Sequence, residues 1–504
     1  MKWLSILFVA ILLSVFGCSD SGRQEAPTMD QITIPASGPI QLHPLNPHYF
    51  LYEGEAKVLV TSAEHYGALL NLDFDYRKYL ETLEADGMNY TRIFTGTYFE
   101  IPGESFSIKY NTLAPEKNRV ITPWAIVIDD LSGKYRYDLS SWNEAYFDRL
   151  KDLMEVAASR GVIVEVTLFS SIYRDEHWAI SPQNPANNVN ITHDVDRFDA
   201  QTLNNGTLLQ YQEKFVRKMV QELNAYDNFF FEIQNEPWSD HVVPVLNLIN
   251  HESLPDDPDW RFNTHLADDK ALAWQAKIAA FITEEEASLP KKHLIAQNYC
   301  NFKAPIPHVG DNISIMNFHY NWPEVVKMNY GYNKVIGFDE SGFAGSGDKV
   351  YRKQAWRFIL SGGGLFNNLD YSFFCGYEDG SLENDAPGGG STALRKQLKI
   401  LSDFIHGFDL VQMKPDYTSV THAPGLIPYV LSNPGEAYAM FIQSVTDSSE
   451  LQLNIPSGIY SVKHINTVNG NLLKEEQLEV GEDEVRIAVD MPEREFALAI
   501  RRIN

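Results

Sequence analysis

Residues 229–240 read FFFEIQNEPWSD. Phe229, Phe230, Phe231 and Ile233 make a dense strand-forming run, and Pro237 ends it by withdrawing a ladder donor. The proline does not explain Asn235 and Glu236, an amide and an acid at the point where the strand must stop. A carboxylate there is either a solvated strand terminus or half of a reactive pair. The rest of the chain decides which.

Working outward, apolar runs alternate with amphipathic stretches. KVLVTS, MNYTRIFTG, VIVEVTLFS, the opening stretch, HLIAQN, ISIMNF, KVIGF and GLFNNLDY read as eight strands. Helical periodicity covers residues 74–88, 142–160, 208–226, 269–288, 351–360 and 394–408, with weak signals after strands five and six. Phe147, Leu150, Met154 and Ala157 share one helical face, which Gly161 closes. Such alternation predicts a parallel α/β sheet, and eight units predict a closed (β/α)8 barrel over residues 34–409. No G-x-G-x-x-G turn supports a doubly wound open sheet. Beyond residue 409 the texture changes to short alternating strands with an Asn469-Gly470 hairpin turn, predicting a small β-sandwich over residues 410–504. No aromatic stripe marks its strands, so a structural cap on the barrel is favoured over a carbohydrate-binding module.

The N-terminus reads separately. Lys2 followed by the apolar stretch Leu4 to Phe16 predicts a signal peptide over residues 1–17. Val15-Phe16-Gly17-Cys18 resembles the lipobox of bacterial lipoproteins, which implies lipid attachment at Cys18 and a tether over residues 18–33. The expected location is the cell envelope, with the membrane a partner through the lipid. A net charge of −26 over 504 residues argues against a nucleic-acid partner, whose phosphates need Lys and Arg. Cys300 and Cys375 lack metal-binding spacing and read as two buried thiols rather than a disulfide.

In a barrel of this kind the chemistry lies at the C-terminal strand ends. Strand four ends in Asn235-Glu236-Pro237, and strand seven, KVIGFDESGFAG, ends in Asp339-Glu340-Ser341-Gly342. Two glutamates facing one another across a pocket are what glycosidic-bond cleavage uses. The pattern resembles the clan A retaining glycoside hydrolases, which include the family 5 cellulases and mannanases. The resemblance implies Glu236 as acid/base, Glu340 as nucleophile and Asn235 as a donor to the sugar 2-hydroxyl. It implies that Arg92, in MNYTRIF, keeps Glu340 ionised, and that His319 and Tyr320, in NFHYNW, flank the reaction.

The pattern also departs from family 5. Strand three ends in TLFSS rather than a histidine. His319 and Tyr320 are adjacent, so in a regular strand they would point apart. Strand eight offers Asn367, Asp370, Tyr371 and Phe373 in place of a platform tryptophan.

Sugar rings bind on aromatic faces. Tyr66, Tyr98, Phe99, Trp178, Trp238, Trp322, Tyr371 and Tyr377 are candidates, with Trp238, Trp322 and Tyr371 taken as substrate contacts beside His65. The long insertions suggest a walled pocket. The acidic loop bearing Glu378, Asp379, Glu383 and Asp385 lacks EF-hand spacing and reads as solvated. No cofactor or metal is expected. The expected partner is a carbohydrate. The competing readings are a non-catalytic glycan-binding lipoprotein and a metal-dependent barrel hydrolase. The first is disfavoured because both glutamates and Arg92 are present. The second is disfavoured because His65, His177, His241 and His319 are scattered.

Overall fold

A computed structural model describes residues 35–503 other than 104, 107, 130–132, 246–262, 384–385, 483 and 491–492. The signal peptide, the tether and Cys18 lie outside the described residues. From Pro35 onward the chain forms one compact unit.

Eight parallel strands form a nearly closed barrel: β1 (Leu59–Ala63), β2 (Tyr90–Phe94), β3 (Ile163–Ser170), β4 (Phe229–Asn235), β5 (Ile295–Asn301), β6 (Ile315–His319), β7 (Val335–Ser341) and β8 (Leu365–Leu369). Helices α1 (Tyr76–Asp86), α2 (Glu144–Ser159), α4 (Leu208–Leu223), α5 (Asp269–Glu286), α7 (Asp348–Ile359) and α8 (Thr392–His406) surround it, with short α3 (Asp175–Ile180) and α6 (Glu324–Asn329) between. The caps that bound them are local. Asp75 accepts from the amides of Arg77 and Lys78 at the start of α1, and Gly87 closes it at φ +76°. Where the helical signal is weak, the helices are short or missing. Strand β6 leads into the six-residue α6, and among the described residues no helix separates β5 from β6.

Alternation along the strands sorts the interior into layers. One inward residue per strand (Leu59, Tyr90, Ile163, Phe230, Ala296, Ile315, Val335 and Leu365) makes an apolar floor, closed from below by Ile40 and Phe50 of the N-terminal segment. Two residues further along each strand the layer is Thr61, Arg92, Glu165, Glu232, Asn298, Asn317, Gly337 and Asn367, almost wholly polar and buried. Gly337 belongs there for steric reasons. A Cβ at that position would stand 2.2 Å from Asn317 Oδ1.

The barrel seam lies between β1 and β2, which share no ladder. Asn89 bridges it with its side chain, accepting from Val60 N and donating to Val58 O, both at 2.9 Å. A carboxamide thereby stands in for a strand's peptide group.

The C-terminal domain is a sandwich of a six-stranded and a three-stranded antiparallel sheet. Strand β9 (Ala437–Ser444) explains its docking. Tyr438, Met440 and Ile442 fill the sandwich core, while Ala439 and Phe441 face the barrel. Phe441 stacks on Trp356 of α7 at 5.5 Å, and buried Glu495 pairs with Arg352 and Lys353 of the same helix. The Asn469-Gly470 hairpin forms as read, with Gly470 at φ +75°.

Two sequence readings change. Cys300 is buried but Cys375 is partly exposed, and both are free. Glu378 is not solvated; it is buried and accepts from the amides of Asp75 and Gly376, holding its loop to the start of α1.

The seam yields a prediction. Asn89→Ala leaves Val60 N–H and Val58 C=O without partners and lowers stability by about 1–3 kcal/mol, read as a lower urea midpoint.

Candidate active site

The polar layer is organised around Arg92, which is fully buried. Its guanidinium donates to Glu232 Oε2 through Nε (2.9 Å) and Nη2 (2.6 Å), to Asn235 Oδ1 at 2.7 Å and to Glu340 Oε2 at 3.2 Å. Asp339 Oδ2 lies 3.5 Å from Nη2, and the ring of Tyr66 covers the guanidinium at 4.5 Å. Below it, Glu165 receives hydrogen bonds from Tyr90 and Asn317.

Above Arg92 the strand ends bring two carboxylates together. Glu340 Oε2 accepts from Tyr66 at 2.9 Å as well as from Arg92, and its Oε1 accepts from Tyr320 at 2.5 Å. Glu236 Oε2 accepts from Tyr173 at 2.9 Å, and Glu236 Oε1 lies 2.9 Å from His319 Nδ1. The other histidine nitrogen, Nε2, faces Asp339 Oδ2 at 3.3 Å. One oxygen of Glu236, one of Glu340 and a His319 nitrogen all lie within 4.8 Å of one another.

Adjacent residues in a regular strand face opposite sides, yet here they serve one pocket in pairs. The backbone accounts for it. Glu236 adopts φ +47°, Tyr320 φ +49° and Tyr66 φ +60°, left-handed conformations that turn each side chain back beside its predecessor. Bulges interrupt the β6–β7 and β7–β8 registers beside His319 and Glu340. The expectation that His319 and Tyr320 point apart is therefore corrected. One meets Glu236, the other Glu340.

The electrostatics follow from these contacts. Burial pushes the Glu340 carboxyl up, but His319 and Arg92, with the hydrogen bond from Tyr320, outweigh it and hold the group well below the usual carboxylate range. Asp339 is likewise lowered against burial by His319 and Arg92. Burial disfavours a charged imidazole, yet Glu340 and Asp339 raise His319 well above its ordinary value. His319 thus favours the imidazolium, with Asp339 at Nε2 and Glu340 Oε1 3.6 Å from Nδ1. Glu165 goes the other way, raised by burial and then by Glu232 and Asp339. Two cations, Arg92 and His319, thus face two firmly ionised acids.

Asn235, Glu236, Tyr320, Glu340 and His65 line one pocket with Tyr66, Tyr98, Tyr173 and Glu100. Arg92 and His319 lie directly beneath it, bonded to the two glutamates. Trp238 is buried and packs edge-on against His319 at 5.2 Å, a support rather than a platform. Trp322 packs on Phe302 beneath Lys303, and Tyr371 is buried against His65; neither lines the pocket. Their nearness in sequence to site residues misled, because the strand-end turns redirect the chain. Residues not singled out include Tyr173, which follows the TLFSS end of β3, and Asp339, Glu232 and Glu165. The last three were legible in principle as single acids inside otherwise apolar strands.

Two carboxylate groups have the spacing of a metal site, Glu236–His319–Glu340 and Glu165–Glu232–Asp339. In the second, Arg92 already sits against Glu232 and Asp339, and in the first His319 fills the space between the glutamates. Both clusters are organised around a cation supplied by the chain.

Fold and site together define the class: a (β/α)8 barrel with two carboxylates and a histidine gathered at the ends of β4, β6 and β7. No family model and no curated protein matches the chain. Solved structures resemble it. A Bacteroides vulgatus ATCC 8482 protein provisionally assigned as a glycoside hydrolase shares 12% identity at a TM-score of 0.61, over 92% of this chain and 82% of its own. A glycoside hydrolase family 5 protein from the same organism shares 11% identity at 0.60, over 92% and 94%. A further glycoside hydrolase shares 11% at 0.55, over 92% and 97%. At such identity the likeness establishes the fold.

Arg92→Met removes the cation from a buried set of acids and costs about 3–5 kcal/mol. Because Arg92 lowers Glu340 and Asp339, the deficit is full above about pH 5, where unfolded carboxyls are ionised, and shrinks as the pH falls below that value. Denaturant titrations of both proteins at several pH values measure it.

Proposed function

We propose that the protein is a retaining glycoside hydrolase acting on a poly- or oligosaccharide. The observation that carries the reading is the closeness of Glu236 and Glu340, one oxygen of each lying within 4.8 Å of the other. Double displacement uses carboxyls about 5–5.5 Å apart, whereas inversion needs about 6.5–9.5 Å to admit water between them. The glycoside hydrolase neighbours support the broader reading of a glycosidase.

Glu340, ionised and held by Arg92, Tyr66 and Tyr320, is the nucleophile. Its oxygen attacks the anomeric carbon while Glu236, as the carboxylic acid, gives its proton to the departing glycosidic oxygen. The C–O bond breaks with its electron pair on the leaving group, and a glycosyl ester forms on Glu340. Water then attacks the same carbon as the Glu236 carboxylate takes its proton. The ester breaks, and both glutamates return to their starting states. Tyr173 and His319, both hydrogen-bonded to Glu236, fix its orientation through the two half-reactions. Asn235, held by Arg92 at one end and donating to Tyr173 at the other, presents its amide to the sugar.

The test uses a panel of polysaccharides and aryl glycosides, with Glu340→Gln run beside the parent. Turnover falls by more than about a thousandfold in the variant, and NMR of the first-formed sugar shows retained anomeric configuration. An inverted product, or turnover surviving in Glu340→Gln, defeats the assignment.

The lipid anchor belongs to the same proposal and rests on residues 15–18 of the sequence. The parent, expressed in a bacterium that processes lipoproteins, partitions into the detergent phase, and Cys18→Ala stays in the aqueous phase. Equal partitioning would argue against lipidation.

A further inference from the structure

The pocket holds a third carboxylate that the proposed reaction does not use. Glu100 belongs to the insertion between β2 and α2. Its amide donates to Leu113 O at 2.9 Å, and its side chain is 3% exposed. Oε1 accepts from Tyr98 at 3.1 Å and Oε2 from Asn111 Nδ2 at 2.5 Å. Among the described residues no Lys or Arg forms an ion pair with it, unlike Glu340 and Glu232 at the site. A buried acid without a cation is costly as a purely structural device.

A second group faces the same space. His65 is 8% exposed and lines the pocket, and among the described residues its Nδ1 has no hydrogen-bond partner. Its ring is fixed edge-on by Tyr66 and Tyr371. The pocket between these groups and the reactive glutamates is small, with a cavity volume of about 50 Å³. Phe106, Ile108 and Leu113 of the insertion, with Phe343 and Leu369, supply apolar walls.

We propose that Glu100 and His65 form the inner wall of a small subsite that takes the terminal, uncharged sugar of a glycan and hydrogen-bonds its hydroxyls. This rests on the reading of Glu236 and Glu340 as the reactive pair. A carboxyl group has four acceptor positions, two on each oxygen, and Tyr98, Asn111 and Ser105 fill three of them on Glu100, leaving one for an incoming hydroxyl. Burial pushes Glu100 up to about 7, so near neutrality it also donates. A hydroxyl suits either form. A uronate would bring its charge among Glu100, Glu236 and Glu340, with no Lys or Arg lining the pocket and with Arg92 and His319 beneath it already engaged by the protein's own acids. So small a pocket takes one sugar unit, which makes that unit the end of the glycan.

Saturation-transfer NMR of the intact protein with free neutral hexoses and pentoses, hexuronic acids and hexosamines tests the wall without requiring turnover. At least one neutral sugar binds and the uronic acids do not. Glu100→Gln, which keeps the shape of the side chain, weakens that binding about tenfold or more, with an unchanged melting temperature. With a substrate in hand, KM rises by a similar factor while kcat changes little, and polymer digestion releases the small sugar from the first time point. Binding of uronic acids, preference for hexosamines, failure of every neutral sugar to bind, unaltered binding in Glu100→Gln, or early mixed-length oligosaccharides would overturn the proposal. If the Glu100 effect holds while Glu340→Gln still turns over, the reaction assignment fails and the subsite stands.

Discussion

One buried guanidinium governs this structure. Arg92 has no access to water, so its charge must be met by acids and amides inside the barrel. Glu232 meets it most closely, Asn235 and Glu340 take the remaining directions, and Asp339 lies just beyond. This single demand explains why the second interior layer is polar while the floor beneath is apolar. It also fixes Glu340 in its ionised state and orients Asn235, the residue before Glu236. Structural and reactive residues are thus tied to one cation, and stability at the centre of the barrel is inseparable from the charge state at its mouth.

A second constraint acts on the backbone. A strand delivers alternate side chains to the barrel interior, which is too sparse for a site needing neighbours side by side. The chain meets this with left-handed residues at strand ends. Tyr66, Glu236 and Tyr320 each take positive φ, so His65–Tyr66, Asn235–Glu236 and His319–Tyr320 each serve the site as a pair. Positive φ at such residues costs of order 1–3 kcal/mol each, held in place by surrounding contacts. Ser171 Oγ, for example, donates to Glu236 O at 2.7 Å, and Tyr320 N donates to Glu340 O at 2.9 Å.

These two constraints mark what the amino-acid sequence discloses. Apolar runs such as FFFEI and KVIGF are strands because nothing else buries them, and eight of them alternating with helical periodicity leave few architectures. Glu236 and Glu340 stand out because an acid at the end of such a run has no structural reason to be there. Arg92 is legible for the same reason, a cation inside YTRIF. What was hidden lies where periodicity stops. The adjacency of His319 and Tyr320 argued against convergence, since no sequence rule announces a left-handed residue at a tyrosine. Trp322 and Tyr371 were placed at the substrate by proximity along the chain, and the turns after β6 and β8 carry them elsewhere. Tyr173 and Glu100 come from loops, where neither spacing nor composition tells a pocket residue from a packed one.

The division between barrel and insertion carries a further consequence. Everything that handles Glu340 and its charge, from Tyr66 and Arg92 to Tyr320, comes from β1, β2, β4, β6 and β7 or the residues beside them, and is tied to the polar layer. Glu100, Phe106, Ile108 and Leu113 come from one long insertion outside that layer, closed on itself by Glu100 N to Leu113 O and held to the segment after β1 by Asn71 Nδ2 donating to Thr112 O at 2.9 Å. Gly67 shows how tight that junction is, since a Cβ there would stand 2.1 Å from Thr112 O. The reactive pair can therefore remain fixed while the wall opposite it changes. On the proposed reading, a barrel with this arrangement separates bond breaking from sugar selection, assigning the first to buried charge and the second in part to a loop outside the polar layer.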